Sequence, residues 1–140
     1  VCDVWQAWPV QSRCAAALIN VFAPRNATEF RRVLRDDGRL VVLTPRPEHL
    51  VELRRLVGAL RVDPAKQERL TDTLGGEFEV ANREHIARTL TLEPDALRDL
   101  IGMGPTSHHL QSQGRAERVA ELDRPVEVSL SVDLSILRPR

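Results

Sequence analysis

The residues best suited to chemistry sit in one short run, Ile19-Asn20-Val21-Phe22-Ala23-Pro24-Arg25-Asn26, where an apolar strand ends in a Pro-Arg-Asn turn before an amphipathic helix. Open α/β sheets collect ligands outside the carboxyl ends of their strands, which is where this turn falls. Asn20 and Arg25 are therefore candidates for ligand contact, against the alternative that Asn20 satisfies the turn and Arg25 faces solvent. Asp3, between Cys2 and Val4-Trp5, can present a carboxylate to an amine or a ribose at a strand end, or stand as a simple loop acid. His108-His109 offers two imidazoles without a third ligand, a poor zinc set; with Thr106 and Ser107 it can form a polar loop that closes on substrate.

Other chemistries find less support. His49 and His85 read as helix-entry and surface residues, and Cys14 as part of a buried strand. Two cysteines are too few for a disulfide scaffold, so a reducing, cytoplasmic setting is expected. There is no nucleophile elbow for a Ser-His-Asp arrangement and no phosphate-binding P-loop.

The elements that must position these residues follow from hydrophobic pattern. Val1–Val4 reads as a strand end, and Ala15–Val21, short and bounded by Pro24, as a buried strand. Asn26 should cap a helix, with Glu29 reaching back to its backbone N–H; Ala27, Phe30, Val33 and Leu34 form its buried stripe. Asp36-Asp37-Gly38 is a helix-ending turn, and Leu40–Leu43 a strand covered on both faces. Glu48–Leu60 is a second helix, so strand, helix, strand and helix alternate as βαβ units.

Further on, Pro64–Leu74 suggests a helix, Glu84–Leu92 a strand interrupted in its parity by Arg88, and Pro94 the start of a helix burying Ala96, Leu97, Leu100 and Ile101. From Val126 to Ile136 apolar and polar residues alternate strictly, as in a half-exposed strand near a sheet edge. No repeat, low-complexity tract or linker divides the chain, and one domain is expected.

Charge and hydropathy narrow the partners. Lys plus Arg and Asp plus Glu number 20 each in 140 residues, which argues against indiscriminate nucleic-acid binding. The distribution is uneven: residues 24–61 hold nine Arg against five acids, residues 62–104 five basic against nine acidic residues, so one face can meet a polyanion. No run approaches the roughly 18 apolar residues of a membrane span, and a soluble protein without membrane association is expected. The start on Val1, without Met, reads as the interior or tail of a longer polypeptide.

Several of these pieces recur together. Cys2-Asp3-Val4-Trp5 with Pro9, Val21-Phe22-Ala23-Pro24-Arg25-Asn26, Glu29–Leu34 with Gly38-Arg39-Leu40, Thr44–Leu50 and Met103-Gly104-Pro105 stand in an order that resembles the ribosomal RNA large-subunit guanine-N1-methyltransferases, a family that includes macrolide-resistance enzymes of actinobacteria. The resemblance covers nearly the whole chain, and the joint occurrence of FAPRN and TPRPEHLVELR carries it.

The resemblance implies a partial class I S-adenosylmethionine-dependent α/β fold, with a mostly parallel sheet and a carboxyl-terminal antiparallel strand. It makes residues 1–140 the carboxyl-terminal portion of a single methyltransferase domain. The upstream zinc module and the glycine-rich cofactor loop are expected elsewhere in the longer protein. Zinc is implied only for that module, and no metal site for these residues. By the same resemblance Asp3 lies near the cofactor adenine, Asn20 faces methyl donor and target base, and Phe22, Ala23 and Pro24 shape the base pocket. Arg25 would hold a phosphate or the guanine edge. The loop from Met103 to His109, with His108 and His109 as substrate contacts, would cover the other side. Ribosomal RNA is the implied partner, with an upstream segment or a second copy covering exposed sheet. The competing expectation is a noncatalytic α/β domain acting through its surface or by self-association.

Overall fold

The computed structural model describes residues 2–57, 73–103 and 115–140. Its elements are β1 (Ala15–Val21), α1 (Ala27–Val33), β2 (Leu34–Pro45), α2 (Val51–Val57), β3 (Phe78–Leu92), α3 (Pro94–Met103), α4 (Arg115–Ala120) and β4 (Val126–Pro139). Most of the expected helix at 64–74, the end of the one at 48–60 and His108-His109 lie outside the described residues.

The four strands form one sheet in the order β1-β2-β4-β3. β1 and β2 pair in parallel across α1, and β4 runs antiparallel to β2. Backbone N–H of Arg140 donates to the Glu77 carbonyl and Arg138 pairs with Glu79, so β4 also opposes β3. This corrects the expectation of a mostly parallel sheet: β1–β2 is the one parallel pair among the described strands. Nor does β4 lie at an edge, since it sits between β2 and β3.

That interior place explains a second departure. The alternating polar residues Ser131, Asp133 and Ser135 are buried, not solvated. The register sets Leu40 beside Leu137, Val42 beside Ser135 and Thr44 beside Asp133, so one face changes from aliphatic to polar along β2 and β4. Buried polar groups require partners; Arg83 Nε meets Ser135 Oγ at 3.4 Å.

The chain divides into two compact units. One comprises Val1–Pro45, Asp63–Ile86 and Val132–Arg140. Its core holds Phe30, Leu34, Leu40, Val42, Leu74, Phe78 and Leu137, with Trp8, Ala15, Leu18 and Ala27 against it. Asn26 caps α1 as expected, its side-chain oxygen accepting from the Glu29 N–H at 3.2 Å. The Asp36-Asp37-Gly38 turn is absorbed into β2: pairing steps from Ala15–Leu34 to Ala17–Arg39, leaving a bulge between. Gly38 is required there, because an added Cβ would stand 2.9 Å from Leu34 Cδ2 and 3.0 Å from the Arg35 carbonyl.

The other unit comprises Arg46–Val62 and Ala87–Ser131. Leu53, Leu97, Ile101 and Val128 form its core, with Leu50, Leu92 and Leu100 alongside; Ala96 is exposed. Glu52 ties α2 to β4 by accepting from both the N–H and the hydroxyl of Ser129, contacts that hold its carboxyl below the usual range. His49 Nδ1 accepts from the Ser131 N–H, so the imidazole is neutral there, and burial pushes its pKa down.

Candidate functional site at the end of the first strand

β1 is an edge strand of the described sheet, and its two faces differ sharply. Leu18 and Asn20 lie toward the covered face of β2, while Ile19 is 72% exposed and Val21 and Phe22 are about half exposed. A fully buried strand was expected, as was a buried Cys14; both cysteines are exposed instead. The β-branched pattern reports a site suited to burial, and no described segment covers its outer face. Residues 2–4 likewise form no strand; Val4 and Trp5 belong to a turn.

Asn20 is the pivot of the strand end. Its Nδ2 donates to the Pro24 carbonyl at 2.9 Å, tying the end of β1 to its own turn. Its Oδ1 is buried and has no hydrogen-bond partner. A buried amide oxygen without a donor is uncommon in native structures and marks a place where a ligand can supply one. Between the tied residues Phe22 takes a φ of 52°, a left-handed backbone that non-glycine residues rarely adopt. Its N–H still pairs with the Leu43 carbonyl, so the chain turns sharply with the aromatic ring half exposed beside Ala23 and Pro24. Backbone strain of this kind collects at functional sites.

Arg25 follows on the same turn. Its Nε is buried without a partner, and burial lowers its pKa. A partly desolvated guanidinium is drawn to an anionic or acceptor-rich ligand.

Asp3 is exposed and forms its own turn: Oδ1 accepts from the Trp5 N–H at 2.9 Å and its carbonyl accepts from the Gln6 N–H. This turn is brought to the strand end by Asn26, whose Nδ2 donates to the Val4 carbonyl at 3.0 Å. Asp3, Asn20, Phe22, Ala23, Pro24 and Arg25 fall in the same compact unit, the Asp3 turn being bonded to the residue that follows Arg25. Trp5 stands 62% exposed on the Asp3 turn, while Trp8 packs tilted against Phe30 with ring centroids 5.5 Å apart.

A second clamp holds the same loop. Glu29 does not reach back to the Asn26 N–H; its Oε1 accepts from the Trp8 N–H at 2.6 Å and the carboxylate pairs with Arg32. Arg32 in turn donates to the carbonyls of Trp8 and Val10. These contacts hold the Glu29 carboxyl at about 2, the Arg32 hydrogen bond contributing most and the Trp8 N–H next. Sequence reading took Asn26 and Glu29 only as local caps. Their partners lie more than twenty residues away and leave no local pattern. Among the described residues no group of three His, Cys, Asp or Glu side chains is placed to hold a metal ion. No described helix is long and apolar enough to cross a membrane.

The decisive likeness is to ribosomal RNA methyltransferases. The chain is 48% identical over 139 residues to a candidate 23S rRNA (guanine-N(1)-)-methyltransferase of Micromonospora griseorubida. It is 45% identical, again over 139 residues, to the 23S rRNA (guanine(748)-N(1))-methyltransferase of Streptomyces fradiae. Over nearly its whole length the chain is similar to rRNA guanine-N1-methyltransferases.

Those alignments take in 99% of this chain but 47% and 50% of the two relatives, so the chain spans about half the length of the curated family members it matches. A Bacillus subtilis member is 30% identical over 142 residues and is matched over 47% of its length. No protein-family model matches the chain. Two solved structures share the fold of this chain. A candidate methyltransferase from Bacillus halodurans aligns with a TM-score of 0.50 at 15% identity, over 97% of this chain and 68% of that one. A candidate type II methyltransferase from Anaeromyxobacter dehalogenans aligns with a TM-score of 0.52 at 16% identity, over 92% of this chain and 66% of the other.

Proposed function

We propose that this chain is the carboxyl-terminal portion of an S-adenosylmethionine-dependent methyltransferase domain acting on N1 of a guanine in large-subunit ribosomal RNA, the activity belonging to a longer polypeptide. The supporting observation is the strand end itself, where the buried Asn20 Oδ1 lacks a donor beside the half-exposed Phe22 ring and the Arg25 guanidinium. The residues fit both ligands. The orphaned amide oxygen suits a ring N–H or amino group, and the exposed Asp3 carboxylate suits a ribose hydroxyl or an amine.

Bound S-adenosylmethionine supplies an electrophilic sulfonium methyl group. What this chain contributes is placement. Guanine N1 lies on the pairing edge, so the base must leave its helix before reaction. Phe22 offers a half-exposed ring on which the freed base can stack, with the exposed Ala23 and Pro24 following it in the turn. Asn20 Oδ1 accepts from the guanine edge and fixes its rotation. Arg25 attracts a phosphate or the O6 side of the base. As the new N–C bond forms, the S–C bond to the methyl group would break to leave the neutral thioether S-adenosylhomocysteine, the N1 proton passes to solvent, and no covalent enzyme adduct is required. Holding both reactants at near-contact distance can account for a large share of the acceleration.

Ribosomal RNA is the proposed partner. The exposed Ile19 and Val21 of β1 are proposed to be covered by a further segment of the longer polypeptide, because lone edge strands with apolar surface favour association. The test is to incubate the full-length protein with S-adenosylmethionine and large-subunit RNA and digest the RNA for nucleoside analysis. N1-methylguanosine supports the reading; its absence, with cofactor binding also absent, favours a noncatalytic surface-acting domain.

A further inference from the structure

The two halves of the candidate site, the Asp3 turn and the Asn20–Arg25 turn, are linked by the amide of Asn26, which bonds to Val4, 22 positions earlier in the chain. Asn26 uses both ends of its side chain. Oδ1 accepts from the Glu29 N–H at 3.2 Å and caps α1, while Nδ2 donates to the Val4 carbonyl at 3.0 Å. Val4 lies within the Asp3 turn, next to the carboxylate whose Oδ1 holds the Trp5 N–H. Asn26 also directly follows the Arg25 end of the Asn20–Arg25 turn, which Asn20 ties through Pro24. Asn26 is half-buried, so its bonds are partly shielded from competing water.

We propose that Asn26 is a positioning residue that sets the distance between the Asp3 turn and the Asn20–Arg25 turn, and thereby couples cofactor binding to the target-base pocket. The proposal rests on the functional reading above. Capping alone would not need an amide, since serine and aspartate cap equally well through one oxygen. The donor end is what reaches the Asp3 turn, and asparagine, unlike the single short hydroxyl of serine or threonine, carries donor and acceptor on separate atoms, so Oδ1 can cap while Nδ2 reaches Val4. The Glu29–Arg32 pair holds the following stretch at Trp8 and Val10, so the Asp3 turn is restrained on its carboxyl side as well. Asn26 alone bonds at Val4, close to the carboxylate.

Asn26→Ser in the full-length protein separates the two roles, because the serine oxygen keeps the cap and cannot bridge to Val4. Three measurements decide the matter: melting temperature, hydrogen exchange at the Trp5 and Gln6 amides, and S-adenosylmethionine affinity by calorimetry. The expected result is a melting temperature lowered by no more than the few degrees that one lost hydrogen bond accounts for, faster exchange at both amides, and cofactor affinity weakened roughly three- to tenfold, the scale of one lost hydrogen bond. Affinity for RNA should hold in the absence of cofactor, while any gain in RNA affinity on adding cofactor should shrink. Unchanged exchange and unchanged cofactor affinity overturn the proposal, as does a loss of affinity that merely follows a lower melting temperature. Wild-type protein that binds no cofactor sinks the functional reading instead, and faster exchange in the variant would still establish the clamp.

Discussion

Asn20 Nδ2 donates to the carbonyl oxygen of Pro24 at 2.9 Å, and this bond determines which way the amide faces. A flipped amide would set oxygen against oxygen, so Oδ1 must point away from the turn, where it is buried without a donor. One side chain therefore both closes the strand-end turn and presents an acceptor to whatever enters beside it.

Replacing Asn20 by alanine should separate these roles by size. Loss of one intramolecular hydrogen bond costs about 0.5–1.5 kcal/mol of stability. The methyl-transfer rate of the full-length protein should fall roughly tenfold or more, beyond what that stability change explains. Chemical denaturation and initial rates on the same preparation check both figures.

Phe22 holds a φ of 52°, at a cost of about 1–2 kcal/mol for a side chain with a Cβ. Phe22→Gly relieves that strain while removing a half-exposed ring. Stability should stay within about 1 kcal/mol of wild type, since the strain relieved offsets the glycine entropy and the lost contacts. Methyl transfer should drop. Equal losses of stability and activity would make the ring a structural anchor.

Much of this local architecture was legible. β1 spans the apolar run Ala15–Val21 and α1 begins directly after Asn26 as expected, but α1 ends at Val33, short of the expected Asp36-Asp37-Gly38 turn, because Leu34 already opens β2. What failed was non-local. The alternation from Val126 to Ile136 shows that two faces differ, but not that β4 lies inside the sheet with its Ser and Asp face buried. β3 begins at Phe78, well ahead of the expected Glu84, because its outer positions are exposed and carry no apolar signal. The clamps from Asn26 to Val4 and from Glu29 to Trp8 join segments that no short-range spacing relates.

Glu29 gives a pH signature. Its folded pKa of about 2 lies below the ordinary carboxyl value of 4.5, so its stabilising contribution is complete above about pH 4.5 and fades as pH falls toward 2. Wild type should exceed Glu29→Gln in melting temperature at pH 6, and the gap should shrink steadily between pH 4.5 and pH 2. A gap independent of pH would mean that the Arg32 and Trp8 contacts do not depend on charge.

Gly38 should tolerate no side chain. Alanine there would press on Leu34 Cδ2 at 2.9 Å and on the backbone carbonyl of Arg35 at 3.0 Å inside the β2 bulge. Overpacking of this kind costs about 1–3 kcal/mol. Urea denaturation of Gly38→Ala should show a lower midpoint with an unchanged slope.

The central claim is that the strand-end turn of Asn20 to Arg25 seats a guanine for methylation at N1. The most direct measurement is mass spectrometry of nucleosides from large-subunit RNA treated with S-adenosylmethionine and the full-length protein, wild type against Asn20→Ala. N1-methylguanosine is expected with wild type, and at least a roughly tenfold lower yield with the variant at equal folded protein. A methyl group at another atom, or equal yields from both proteins, would contradict it.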